Sequence, residues 1–116
     1  MFSRSRRLGG PQAFSKIFAF RCSVAGDQFQ VYAMPQGTEP ARLGVVASKR
    51  LMPAAVSRNY CKRLAREVFR TECAAVNGID VVVRARKPVT VASAVQARAE
   101  ICDLLRRVEL KCRLRA

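Results

Sequence analysis

The chain has 116 residues, 22 Lys and Arg against 8 Asp and Glu, a net charge of +14 and an isoelectric point near 11.0. Its 50% apolar content is enough for one packed domain and excludes a wholly disordered polycation, while the self-repelling charge points to a polyanionic partner. No histidine is present, which excludes His-assisted nucleophiles and imidazole zinc ligands.

Residues 1–10 (MFSRSRRLGG) read as a flexible basic tail and residues 11–116 as a single domain. Phe14, Ile17 and Phe18 then repeat at one-face helical spacing after Pro11, predicting a helix over about 11–20. A short strand over 21–24, a turn at Ala25-Gly26-Asp27 and a strand over 28–33 follow. The stretch MPQGTEP (34–40), with two prolines and a glycine, reads as a loop, and 42–48 as the next strand.

Residues 54–76 form the longest periodic segment. At 100° per residue, Asn59, Lys62, Arg63, Arg66 and Arg70 gather within about 40–140° of Arg58, opposite Tyr60, Cys61, Leu64, Ala65 and Val68. Asn77-Gly78 supplies a stop, Asp80 and Val81-Val82-Val83 a buried strand. A last helix begins near Ser93, with Ser93 and Gln96 in capping-box register. Its apolar face is Ala94, Ala97, Ile101, Leu104, Leu105, Val108 and Cys112. The order predicts an α+β sandwich, one sheet packed with helices, in which the strands flanking the long helix run parallel.

Arg58, Lys62, Arg66 and Arg70 recur every four residues. Like charges at that spacing weaken an isolated helix, so the ridge is either a surface built for a polyanion or a solvated face; the near absence of acids on it favours the polyanion. Lys49-Arg50 and Arg86-Lys87 each follow a strand, and parallel pairing would bring both to one sheet edge. Phe14 and Phe18 fit a core or a base-stacking surface, while Tyr32, which shares its strand face with Gln28 and Gln30, fits an exposed stacking platform.

The eight carboxylates are scattered, with no clustered metal-binding motif and no phosphate loop, so no catalytic side chain and no protein-held metal are expected. Five cysteines without a CxxC pair predict free, mostly buried thiols, and the absence of a long apolar run or signal-like N-terminus predicts a cytoplasmic protein with no membrane contact.

The stretch 41–70 resembles the protein subunit of bacterial ribonuclease P: Arg42-Leu43-Gly44, Ser48-Lys49-Arg50, Arg58-Asn59-Tyr60 and Lys62-Arg63-Leu64-Ala65-Arg66-Glu67 match its ordered motifs. AFSKIF (13–18), FQVYA (29–33) and DVVVRARKP (80–88) extend the likeness over about 12–107. Tyr60, where the family usually has a second Arg, and the Gly-Gly-Pro at 9–11 depart from it.

The resemblance implies an αβββαβα fold with a left-handed strand–helix–strand crossover. It implies a cleft binding the 5′ leader of precursor tRNA through Phe14, Phe18, Tyr32, Lys49, Arg50, Arg86 and Lys87. It further implies that Arg58, Asn59, Lys62, Arg63 and Arg66, with Arg70 on the same ridge, face a catalytic RNA that hydrolyses the phosphodiester with Mg²⁺. No obligatory protein partner is inferred. The alternatives are a ribosomal or other structural RNA-binding protein and a self-sufficient nuclease.

Overall fold

A computed structural model describes residues 7–74 and 76–115. The elements are α1 (Gly10–Phe20), β1 (Cys22–Ala25), β2 (Phe29–Pro40), β3 (Arg42–Val46), α2 (Ala55–Glu72), β4 (Asn77–Ala85) and α3 (Ala94–Arg115). They build one four-stranded sheet in the order β1-β2-β4-β3. β2 is antiparallel to both β1 and β4, and β3 is parallel to β4, so the αβββαβα order and the parallel pair flanking α2 are as expected.

Period-two alternation divides the sheet into two apolar faces. Phe29, Val31, Ala33, Leu43, Val81 and Val83 pack with Leu64 and Phe69 of α2 and with Ile101, Leu104 and Leu105 of α3. Val82 points the other way, joining Leu8 and Ile17, with Phe14, Phe18, Tyr32 and Val46 packed around them. The sheet therefore separates α1 on one face from α2 and α3 on the other. On α3 the expected apolar stripe is buried from Ala97 to Cys112.

The expected loop at 34–40 is instead the second half of β2. β1 covers only Gln30–Ala33, so beyond Ala33 the strand pairs with β4 alone, and an edge tolerates the missing N–H of proline. The register shifts between Pro35 and Pro40, where Gly37 takes a φ of 82°. Opposite it, Gly78 has a φ of 84°, and a Cβ there would sit 2.8 Å from the Gly37 carbonyl oxygen. Asn77-Gly78 thus belongs to β4, as the partner of this irregularity, and does not terminate α2. α2 ends at Glu72, earlier than expected, where the Cys73 N–H donates to the Phe69 carbonyl at 2.8 Å.

Two further expectations change. Of the basic tail, residues 1–6 lie outside the described residues; Arg7 bridges Leu43, and the Leu8 N–H donates to the Leu43 carbonyl at 2.9 Å. Burying Leu8 on the α1 side supplies the apolar area that holds this segment to β3. Ser93 pairs back with Thr90: the Thr90 N–H donates to Ser93 Oγ at 3.0 Å and the Ser93 N–H to Thr90 Oγ1 at 3.2 Å, one turn earlier than the predicted capping box with Gln96.

All five cysteines are free, and Cys22, Cys61, Cys73 and Cys112 are buried. Burial pushes the Cys61 thiol up to about 11, against the pull of nearby Lys62, so it stays protonated at neutral pH.

Candidate nucleic-acid interface

Because β3 and β4 run parallel, their C-terminal ends share one sheet edge, and the basic segments that follow them meet there. Between this edge and α1 opens a cavity of about 760 Å³, lined by Phe18, Gln30, Ser48, Arg50, Arg84 and Arg86 among others. Phe18 and Tyr32 stand edge to face, ring centroids 4.7 Å apart at 81°. The expected free platform at Tyr32 is therefore half-buried, because α1 covers that face of β2, and Phe18 is the ring that borders the cavity.

The other leader candidates divide. Arg86 borders the cavity while its Nη1 donates to the Gly26 carbonyl at 2.8 Å. Lys87 pairs with Asp27 at 2.7 Å on the surface, with both side chains more than half exposed. Such a pair contributes about 0–1 kcal/mol and yields readily to a phosphate. Lys49 is exposed next to Arg50 but does not line the cavity. Phe14 is half-buried over β3, and its ring occupies the space a side chain at Gly44 would need, Cε2 lying 2.9 Å from a built Cβ. Gly44 is thus required by space, not by backbone angle. Gly44→Ala is expected to cost about 2 kcal/mol through overpacking and to shift the Phe14 ring resonances. An unchanged urea midpoint with unshifted resonances would refute this contact.

The ridge on α2 is real and unmixed. Asn59, Arg63 and Arg70 are exposed and Lys62 and Arg66 half-exposed, and no acidic side chain pairs with any of them among the described residues. The acids of α2 are engaged on its α3 side: Glu67 holds Arg98 at 2.8 Å and Glu72 holds Arg106 at 3.0 Å. Hydrogen bonds from Cys102 and then Arg106 keep the Glu72 carboxyl below the usual carboxylate range. Burial, then the nearby Arg7 charge, makes the Arg66 guanidinium a weaker base than usual. Arg58 differs from the others, since its Nη1 donates to the Met52 and Pro53 carbonyls at 2.9 and 2.7 Å. Tyr60 packs against the core, as its place on the apolar side of the helix implies.

Several contributing residues escaped the sequence reading. Gln30 and Arg84 pair across β2 and β4 and line the cavity; the alternation of Tyr32 with Gln30, and of Val82 with Arg84, was the available signal. Arg7 reaches Arg66 because alternation at the Arg7–Leu43 bridge directs it to the α2 face. Glu100 of α3 accepts the Gln28 and Phe29 N–H groups at 2.8 and 2.7 Å, fixing the β1–β2 turn beneath Arg86. No local pattern announces a bond spanning 72 positions.

Residues 2–109 match the pattern of the family described as Ribonuclease P. The chain belongs to the ribonuclease P protein family. It is 42% identical over 89 residues to the ribonuclease P protein component of Chromobacterium violaceum, covering 77% of this chain and 74% of that one. It is 37% identical over 107 residues to that of Azoarcus sp., covering 92% and 89%. Its fold matches the RNase P protein of Staphylococcus aureus at a TM-score of 0.71 and 31% identity, covering 90% and 93%, and that of Thermotoga maritima at 0.67 and 27%, covering 92% and 96%. Membership makes the chain a subunit of an endoribonuclease with a ribonuclease P RNA as partner, and it disfavours the ribosomal and self-sufficient nuclease readings. No helix among the described residues is long and apolar enough to cross a membrane.

Proposed function

We propose that the two basic surfaces bind different RNAs at the same time, the α2 ridge taking the catalytic RNA and the cavity beneath α1 taking the 5′ leader of precursor tRNA. The observation that carries this reading is their separation: α1 and α2 lie on opposite faces of the sheet, so one RNA need not displace the other. On the ridge, Asn59, Lys62, Arg63, Arg66 and Arg70 present donors that no acidic side chain among the described residues engages, and Arg7 lies near enough to Arg66 to add to the same positive surface. Guanidinium forks suit phosphate oxygens, and the RNA relieves the repulsion that the free helix carries.

In the cavity, Phe18, stiffened by Tyr32, offers an apolar ring to an unpaired base, and Phe14 holds α1 against the sheet. Arg50, Arg84 and Arg86 surround it with positive charge for the backbone, with Lys49 and Lys87 at the margin. Such an arrangement reads single-stranded RNA by stacking and charge rather than by base edges, which suits leaders of varied sequence.

The chemistry belongs to the RNA in this reading, with Mg²⁺ held mainly on the RNA. Seven of the protein's eight carboxylates are otherwise engaged: Asp27, Glu67, Asp80, Glu72, Asp103 and Glu109 each pair with a cation, and Glu100 accepts backbone N–H groups. The protein adds positive charge and positioning, so it helps most when Mg²⁺ is scarce.

The test mixes protein, candidate catalytic RNA and precursor tRNA at limiting Mg²⁺, omitting each in turn. Stimulated, RNA-dependent cleavage at the 5′ end of the mature tRNA is expected, with tighter binding of leader-bearing than of leaderless tRNA. Cleavage by protein without the RNA, or equal affinity for both tRNAs, would overturn the assignment.

A further inference from the structure

Arg58 lies on the α2 ridge, yet its side chain turns back toward the segment that precedes the helix. Nη1 donates to the carbonyls of Met52 and Pro53 at 2.9 and 2.7 Å. The same segment is closed at its other end by Ser48, whose carbonyl accepts the Met52 N–H at 3.0 Å and whose Oγ accepts the Leu51 N–H at 3.2 Å. Met52 anchors the middle, only 2% exposed. Ala54, just before the helix, provides no side-chain cap, which leaves Arg58 as the side chain of the first turns of α2 seen to hold this loop among the described residues.

Lys49 and Arg50 ride on the clasped turn, and Arg50 faces Arg84 and Arg86 across the cavity. Three cations brought together repel one another, and a loop free to move would carry Arg50 away from the other two. We propose that Arg58 is a positioning residue for leader binding: its guanidinium clamps the 48–53 turn and thereby holds Lys49 and Arg50 at the cavity. A residue on the surface assigned to the catalytic RNA thus sets the geometry of the surface assigned to the leader. The proposal rests on the leader reading given above.

Both bonds come from the one nitrogen Nη1, so Arg58→Lys, with one charged nitrogen bearing several N–H groups, can make them again, whereas Arg58→Ala loses the clasp altogether. In the free protein, hydrogen exchange at the Leu51 and Met52 amides is expected to speed up about tenfold in Arg58→Ala, an opening made easier by about 1.4 kcal/mol, and to return toward wild type in Arg58→Lys. In holoenzyme assembled with saturating catalytic RNA, Arg58→Ala is expected to raise KM about fivefold for precursor tRNA with a long leader. The KM for a one-nucleotide leader should rise less, so the ratio of the two KM values reads the clasp, and Arg58→Lys should restore the long-leader KM.

Unchanged amide exchange in Arg58→Ala would overturn the clasp. Faster exchange with an unchanged leader-dependent KM would overturn the positioning role, as would failure of lysine to rescue. A wild-type holoenzyme indifferent to leader length would instead overturn the leader reading itself, and that outcome is read before any variant is made.

Discussion

Replacing Arg42 by alanine is expected to lower the unfolding free energy by about 3 kcal/mol, and more than replacing Asp80 does. Asp80 is the one buried charged residue among the described residues, 3% exposed, on a central strand. Arg42 Nε and Nη2 reach its two carboxylate oxygens at 2.9 and 2.7 Å, so each oxygen receives one charge-assisted bond. That bond, above all, raises the proton affinity of the guanidinium.

Removing the arginine leaves a buried carboxylate without its counter-charge, the costly half of breaking such a pair, about 3–5 kcal/mol where neither partner meets water. The lower end applies because the Arg42 side chain is 41% exposed and water can enter where it was. Asp80→Ala leaves only that half-exposed guanidinium, which rehydrates. Urea unfolding of the two variants measures the difference, and equal losses would mean that the pair acts by packing alone.

The Arg42–Asp80 bond also marks how far the sequence could be read. Arg42 belongs to the Arg-Leu-Gly motif that carries the family resemblance, and Asp80 opens the matching DVVVRARKP segment, but 38 positions separate them. Only the parallel register Arg42↔Asp80 makes them neighbours. The α2 ridge was legible because a helix writes its faces at fixed spacing, and the burial of Cys61, Leu64, Ala65 and Val68 follows the helical wheel. Parallel β3 and β4 were legible from the length of the connection between them.

The end of β2 was not legible, because two prolines and a glycine signal a turn unless the strand has an open edge, and edges are a property of the assembled sheet. Tyr32 failed similarly. Gln28 and Gln30 on its strand face imply an exposed face, and the helix that covers that face lies before the strand in the chain. Gly44 and Phe14 form a third case: both carry the resemblance, but why the motif needs a glycine emerges only when the ring is seen against the strand. Arg58 looked like one more member of a periodic ridge until its two carbonyl partners were in place. Local period thus identified which residues share a surface, and long-range packing decided which of them are free to use it.

The combined variant Lys62→Ala, Arg63→Ala and Arg66→Ala is expected to lose about 100-fold in affinity for the catalytic RNA at physiological salt, while the free protein becomes slightly more stable. Each of the three is without an acidic partner among the described residues, so truncation breaks no internal ion pair. Lys62 and Arg66 are also an i,i+4 pair of like charges, and Arg66 faces Arg7, so removing them relieves repulsion by a few tenths of a kcal/mol per pair. Against that gain stand up to three lost phosphate contacts at roughly 1 kcal/mol each, which together give the 100-fold loss. The same loss should flatten the salt dependence, reducing the log–log slope by about 0.7–0.9 per contact. The opposite signs make the result decisive: a ridge that served folding would lose stability and affinity together, and a merely solvated face would lose neither. Filter binding across a salt series, paired with thermal unfolding of the free protein, reads both quantities on one preparation.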